Sequence, residues 1–290
     1  MSTIAQNIIV FGATGQQGAS FIEALSTQNT LENVKYAIYA LSRNPSSNQS
    51  TKLSNLPGVK VISVNKDYMN KPELAFEATG LKIDEIYGIF NVQGYVSDKI
   101  YIHLEFLIGK AIIDASKKWN VKQFVYSSVS FGGLDDTKAS GMEVKRDIEN
   151  YLFESNLGYT ILRPTQFMDN LLPNSAFIKH QLISIKDIGK TASQVIINSN
   201  KWLNKIIELA GDNLTIQEIE NIYKEELNEP IELTYWPLAT FVRWVSPLGP
   251  MAKFFDNYGF KVNINQLKKD LPEVEFEDFR TYLRRYKASQ

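Results

Sequence analysis

Apolar residues fall in short runs through the first half of the chain. Residues 7–11 (Asn-Ile-Ile-Val-Phe), 36–42, 59–64, 86–90, 123–127 and 159–162 each have the length and flanks of a buried strand. Between them the spacing turns helical. Ala19, Phe21, Ile22 and Leu25 mark a helix behind the first strand, and residues 100–119 and 143–154 mark two more. Residues 27–35 read as a loop inserted before the second strand. Arg163-Pro164 stops the sixth strand, and the alternation then fades. Residues 206–209 read as a further strand and 215–227 as a helix. Thr215 is its N-cap, and Glu218 three residues on completes a capping box. The stretch from Tyr235-Trp236-Pro237 is aromatic and irregular, and residues 275–286 predict a last amphipathic helix. Strand and helix alternating in this way specify an α/β chain with a parallel sheet.

The junction of the first strand and helix carries the chemistry. Gly12-Ala13-Thr14-Gly15-Gln16-Gln17-Gly18 is a G-x-x-G-x-x-G turn between them. Glycines allow a tight turn and a close approach of pyrophosphate, and the helix N-terminus offers unpaired N–H groups to an anion. The spacing is typical of dehydrogenase-like Rossmann folds. The alternative is a glycine-rich turn with no ligand. The second strand ends at Arg43, where an NAD site usually carries an acid for the ribose 2′-hydroxyl. An arginine suits a 2′-phosphate instead, so NADP(H) is the expected cofactor. A solvated arginine at a strand end is the alternative.

Composition narrows the class. Among 290 residues, 31 Lys and Arg face 32 Asp and Glu, a formal charge of −1. No bulk field draws the chain to nucleic acid or membrane. It has no cysteine, so thiol catalysis and disulfides are excluded. Its two histidines, His103 and His180, are far apart, and no metal site is expected. No basic leader and no apolar run of membrane-spanning length occurs, so the cytoplasm, or the nucleus, is the expected location. The expected architecture is a Rossmann doubly wound parallel sheet over residues 1–165. A smaller C-terminal α+β lobe, residues 166–290, forms the cleft, and some of its elements return to the core.

Several segments carry a resemblance to a known family. They are residues 8–18, 41–45, 124–129 and 145–151, the run Arg163-Pro164-Thr165-Gln166-Phe167-Met168-Asp169-Asn170-Leu171, and residues 182–189. Together they resemble the NmrA-like family of atypical short-chain dehydrogenase/reductases, most of all its fungal members, and the similarity covers most of the chain. The resemblance implies a Rossmann core, an NADP(H) site and a C-terminal lobe. Some members of the family sense the redox state of the cofactor and regulate other proteins; others, including isoflavone-reductase-like relatives, are reductases. Phe167 and Asn170 line the nicotinamide end by this resemblance, with plain core as the alternative for Phe167.

The catalytic residues decide between those roles. Ordinary short-chain dehydrogenases use Tyr-x-x-x-Lys on one helix face. Lys145 takes the lysine position, but Gly141 stands four residues earlier and has no proton to give; Tyr151 falls on another face. The usual hydroxyl residue after the fifth strand aligns with Val129, although a slip of one restores Ser128. Two roles remain for Lys145. It binds ribose in a regulator that acts through a protein partner, or it is itself the acid or base of an NADPH-dependent reductase of a small carbonyl or enone. The second role needs burial or a cationic neighbour. The regulator is the preferred reading. A solvated helix lysine is the plain alternative.

Lesser candidates complete the expected cofactor site. Thr14, Gln16 and Gln17 belong to the phosphate turn. Asn91 and Gln93 follow the fourth strand, near ribose and nicotinamide, and Ser127 ends the fifth. Asp67 is placed to accept from the adenine amino group, or is a turn aspartate. Trp236, Trp244, Phe254 and Phe255 read as lobe core, and Arg284-Arg285-Tyr286-Lys287 as a solvated helix end. Residues 134–142 and 177–181 are shorter than in family members. Either the cleft is more open there or the sequence lacks part of longer loops.

Overall fold

The computed structural model describes residues 5–31, 35–65, 68, 71–93, 99–170, 180–229 and 249–289. All six apolar runs of the first half form strands: β1 (Gln6–Phe11), β2 (Tyr36–Ser42), β3 (Val59–Ser63), β4 (Ile86–Val92), β5 (Gln123–Ser127) and β6 (Tyr159–Pro164). Short strands β7 (Gln166–Phe167) and β8 (His180–Ile183), then β9 (Lys205–Leu209) and β10 (Asp212–Leu214), follow. The main sheet has the order β3-β2-β1-β4-β5-β6-β9 and every pairing is parallel. Thus β9, from the second half of the chain, extends the sheet of the first. A second sheet, β10-β8-β7, pairs β10 with β8 antiparallel and β8 with β7 parallel.

Helices cover both faces, as a parallel sheet requires. On one face α1 (Gln16–Leu31) packs with α6 (Ile185–Ile197) over Ile8, Val10, Ile38, Phe90 and Val125. On the other, α3 (Glu73–Ala78), α4 (Lys99–Lys118) and α5 (Ser140–Glu154) cover the alternate residues Ile9, Phe11, Ile89, Phe124 and Tyr126. The short α2 (Asn48–Ser54) links β2 to β3, and α7 (Ser199–Trp202) precedes β9. Then come α8 (Ile216–Leu227), α9 (Gly249–Asn257), α10 (Ile264–Asp270) and α11 (Phe279–Ala288).

The expected loop at residues 27–35 is corrected. Helix α1 runs through it to Leu31, because Asn29 is buried and fully used. Its amide nitrogen donates to the Tyr36 and Pro57 carbonyls at 2.8 and 3.1 Å, and its oxygen accepts from the Lys35 and Tyr36 N–H groups at 2.9 Å each. One side chain thereby ties the helix end to β2 and to the turn before β3. Helix α5 starts three residues before the predicted position. Glu143 takes the Thr137 N–H and hydroxyl at 2.8 and 2.6 Å and fixes the entry. Helix α8 has the predicted capping box at Thr215 and Glu218. The last helix begins at Phe279 rather than 275, behind an Asp278 N-cap.

The C-terminal basic cluster is not simply solvated. Arg280 and Arg284 close on Glu226 of α8, Lys287 donates to the Glu226 carbonyl, and Arg285 makes a paired contact to Glu277. Phe254, Phe255, Phe260, Phe131 and Met142 form a separate apolar cluster, so Phe254 and Phe255 fill core.

Candidate functional site

The strand order reverses between β1 and β4, and the glycine turn leaves β1 at that point. Ligands in open α/β sheets sit in the crevice at the carboxyl ends of strands where the order switches. Gly12 has φ +74°, and a Cβ there would run into the Val92 carbonyl and lie 2.9 Å from its Cγ1. A Cβ on Gly18 would strike the Gly12 carbonyl and lie 2.8–2.9 Å from two further backbone atoms. These two glycines let the turn close on itself. Gly15 differs: the protein atom near its Cβ direction is the Gly12 carbonyl oxygen at 3.2 Å, and otherwise the space is open. The Gly15 N–H donates to that same oxygen at 3.0 Å, and the Gly15 carbonyl accepts from Ala19. Thr14, Gly15 and Gln16 are exposed at the mouth of the turn. Gln17 turns back to the sheet and accepts from the Ser127 hydroxyl at 2.6 Å.

Arg43 follows β2 and is exposed. Tyr68, in the turn after β3, stands close enough to feel its charge: burial pushes the phenol up and Arg43 offsets part of that. The Tyr68 ring also lies 6.3 Å from Phe11. A chain of serines backs the Arg43 loop, with Ser42 and Ser50 hydroxyls 2.8 Å apart and Ser50 donating to the Asn44 carbonyl. Asp67 lies outside the described residues, as do Trp236 and Trp244.

Below the ends of β4 and β5, on the α4–α5 face, polar groups are buried together. Asn91 is paired in register with Tyr126 and is wholly buried. Among the described residues neither of its amide atoms has a partner, nor do the Tyr126 hydroxyl, Glu105 Oε2 and the Ser128 hydroxyl. The Tyr126 phenol is held far above its ordinary value by burial, then by the charges of Glu105 and Glu149. Gln93, with its carboxamide turned to suit its neighbours, accepts from the Gly109 N–H at 3.0 Å and donates to the Glu105 carbonyl at 3.2 Å, so it grips α4. Ser127, the last residue of β5, turns to Gln17 of α1, whereas Ser128 lies just past the strand end.

Lys145 is buried and donates to Glu105 Oε1 at 2.8 Å. Gly141 lies one turn before it on the same helix, so this face has no tyrosine beside the lysine. Tyr151 points outward, donates to Asp114 at 2.7 Å and lies under Lys110. Arg146 points away from Lys145: it bonds Glu143 and the Leu134 carbonyl and stacks 3.9 Å over Phe131. Arg163 binds both oxygens of the buried Glu149, at 3.1 and 2.6 Å, and reaches Glu208 at 3.3 Å. Burial works against the guanidinium, but the two carboxylates outweigh it and hold Arg163 in its charged form. Phe167 is partly buried against the α1–α6 core, and Asn170 ends the turn after β7.

Sequence reasoning missed Glu105, Tyr126 and the closeness of Arg43 to Tyr68. A glutamate on an amphipathic helix reads as a solvated face, and a strand tyrosine reads as core. Only the crossing of α4 over α5 brings Glu105 to Lys145.

Comparison with known proteins gives a consistent result. The chain is 31% identical over 287 residues to an NmrA-like family domain-containing protein of Dictyostelium discoideum, covering 88% of this chain and 89% of that one. It is 25% identical over 255 residues to an NmrA-like family domain-containing oxidoreductase of Aspergillus hancockii, covering 76% and 72%. Among solved structures, NmrA, a negative transcriptional regulator, in complex with NADP superposes with a TM-score of 0.72 at 17% identity, over 97% of this chain and 94% of that one. The NADPH-dependent quinone oxidoreductase QOR2 of Escherichia coli, complexed with NADPH, gives 0.76 at 18% identity, over 97% and 100%. At such identity these structures share the fold. The NmrA-like family model matches residues 5–283, and the chain belongs to that family.

Proposed function

We propose that this protein binds NADP(H) across the β1–β4 switch point and acts as a redox-responsive regulator through a protein partner. The observation that carries the cofactor is the turn itself. Gly12 and Gly18 are required by its own backbone, whereas Gly15 is backed by one carbonyl oxygen and opens outward. A glycine that the protein does not itself need to pack is what a pyrophosphate cradle requires. Thr14, Gln16 and Gln17 complete the cradle, and Arg43 takes the 2′-phosphate. In this reading Lys145 and the buried Asn91, whose amide has no partner among the described residues, serve the ribose and nicotinamide. Ser127 steadies Gln17. Phe167 and Asn170 belong to the nicotinamide end by family likeness. NmrA with NADP and QOR2 with NADPH, which share the fold, support a dinucleotide here; NmrA is also solved with NAD, so the choice of NADP(H) rests on Arg43.

When bound, reduced nicotinamide supplies a hydride. A tyrosine-type dehydrogenase would also need a proton donor beside it. Here Gly141 occupies that turn of α5 and Tyr151 is held outside by Asp114. This favours sensing over alcohol or ketone turnover. The oxidoreductase names of fungal relatives support a second reading, reduction of a small carbonyl or enone with Lys145 as the donor. Two measurements separate the readings: affinities for NADP and NADPH by calorimetry, and NADPH oxidation across a carbonyl, enone and quinone library. Unequal affinities with no turnover fit the regulator. Turnover lost by about a hundredfold in Lys145→Met, the typical worth of a general acid or base, fits the reductase and overturns the regulator.

A further inference from the structure

The outer face of α4 and α5 carries exposed apolar side chains. Leu104 and Leu107 lie one turn apart on α4 and are 38% and 43% exposed, against 2% and 0% for Ile112 and Ile113 on its inner side. Beside them Phe106 and Tyr151 meet edge to face, with ring centroids 6.4 Å apart. These two rings line an open hollow of about 280 Å³ with Asp147, Asn150 and Glu154. Small-molecule pockets run from about 300 to 1,000 Å³ and enclose most of their ligand. An open hollow of this size suits a side chain presented by another protein.

The charge of this face is one-sided. Glu143 is spent on Arg146, and Lys110 on Asp114 at 2.6 Å, with its ammonium 4.7 Å over the Tyr151 ring. Asp147 and Glu154 make no ion pair among the described residues. Partial burial, then the charge of Glu143, hold the Asp147 carboxyl above its ordinary value, and Arg146 offsets only part of this. A second copy of the chain would bring to this face the same acids and a lysine already paired. The occupant that matches is apolar on one side and cationic at its edge.

We propose that the α4–α5 face docks a basic amphipathic helix of a partner protein, with its Lys or Arg residues on Asp147 and Glu154 and its apolar side chains on Leu104, Leu107 and Phe106. This deepens the regulator reading, and rests on it for the partner's existence. A helix laid on an apolar groove reads it through residues at i, i+3, i+4 and i+7. Asp147 and Glu154 are themselves seven positions apart, two turns of α5, so cations at i and i+7 of the partner meet them both.

The test uses the whole protein and synthetic peptides: a Leu/Lys amphipathic helix, the same sequence with Glu for Lys, and a scrambled Leu/Lys sequence with no apolar stripe. Fluorescence anisotropy at physiological salt, where diffuse surface charge is screened, reads the affinities. The Leu/Lys helix should bind at least about tenfold more tightly than the other two. Asp147→Lys, Glu154→Lys should reverse the preference between the Lys and Glu helices. Leu104→Ser, Leu107→Ser should weaken the Leu/Lys helix about tenfold. Glu273→Lys, exposed beside Leu271 and Val274 on the α1–α6 side, should change it less than about twofold. A Leu/Lys helix that binds the unmutated protein no better than the other peptides overturns the proposal. So does one that binds Asp147→Lys, Glu154→Lys as it binds the unmutated protein. A dimer in light scattering that Leu104→Ser, Leu107→Ser dissociates assigns the face to a second copy and overturns it too. If the helix docks as stated while NADP and NADPH bind equally, the docking surface stands and the regulator reading falls; if no peptide docks and the two affinities differ, the reverse holds.

Discussion

Gly15 and Gly18 stand three residues apart in one turn, yet the structure gives them opposite consequences. A Cβ on Gly18 meets the Gly12 carbonyl group, with its carbon at 2.8 Å, and the Ala13 Cα at 2.9 Å. All are backbone, so none can swing aside, and the turn must open. Overpacking of this kind costs about 1–3 kcal/mol. At about 2–4 °C per kcal/mol, for chains somewhat shorter than this one, Gly18→Ala should lower the melting temperature by roughly 2–12 °C. A Cβ on Gly15 meets one carbonyl oxygen at 3.2 Å and then open space, and its φ is not positive. Gly15→Val must ease that one tight contact with a backbone oxygen, and its melting temperature should therefore fall between that of Gly18→Ala and that of the unmutated protein. It should nevertheless lose dinucleotide binding, because the side chain fills the space for pyrophosphate. Thermal denaturation and calorimetry on both variants check this. A Gly18→Ala protein as stable as the parent refutes the steric argument, and normal cofactor binding by Gly15→Val refutes the cradle.

Other consequences follow from buried charge. Arg163→Met strands the buried Glu149 carboxylate, and breaking such a pair costs about 3–5 kcal/mol; Arg163→Met, Glu149→Leu should recover much of that, and chemical denaturation measures both. Asp187, fully buried, accepts from the Glu277 N–H at 2.6 Å and from Lys190 at 3.3 Å, but burial outweighs these and raises its carboxyl above the ordinary value. A raised acid contributes stability that is present below its unfolded value and lost as the pH rises through its folded one. Asp187→Asn, which cannot titrate, should therefore compare better with the parent at pH 7 than at pH 4, and equal differences in melting temperature at both would contradict the assignment.

What could be read from the sequence was what depends on near neighbours in the chain. The strands of the main sheet, the glycine turn and the Thr215–Glu218 capping box are all encoded within a few residues. Asn29 shows where that logic stops. Its four hydrogen bonds reach residues 6, 7 and 28 positions away, so a polar stretch that resembles a loop is held as helix. The same holds for the site. Lys145 was visible through the family resemblance of residues 145–151, but Glu105 lies 40 residues earlier, and only the packing of α4 on α5 makes it a partner. Ser127 and Ser128 are adjacent letters, yet the Ser127 hydroxyl reaches Gln17 and the Ser128 hydroxyl is buried with no partner among the described residues. The short strands of the second sheet, two to four residues each, leave no periodicity to read.

The central claim is that this fold binds NADP(H) and that Arg43 selects it over NAD(H). Calorimetric titration of the unmutated protein and of Arg43→Ala with NADP and NAD tests it most directly. A charge-assisted bond to phosphate is worth about 1.5–3 kcal/mol, so the parent should prefer NADP by roughly ten- to a hundredfold and Arg43→Ala should lose most of that preference while binding NAD as before. Equal affinity of the parent for the two dinucleotides, or a preference that survives Arg43→Ala intact, would contradict the account.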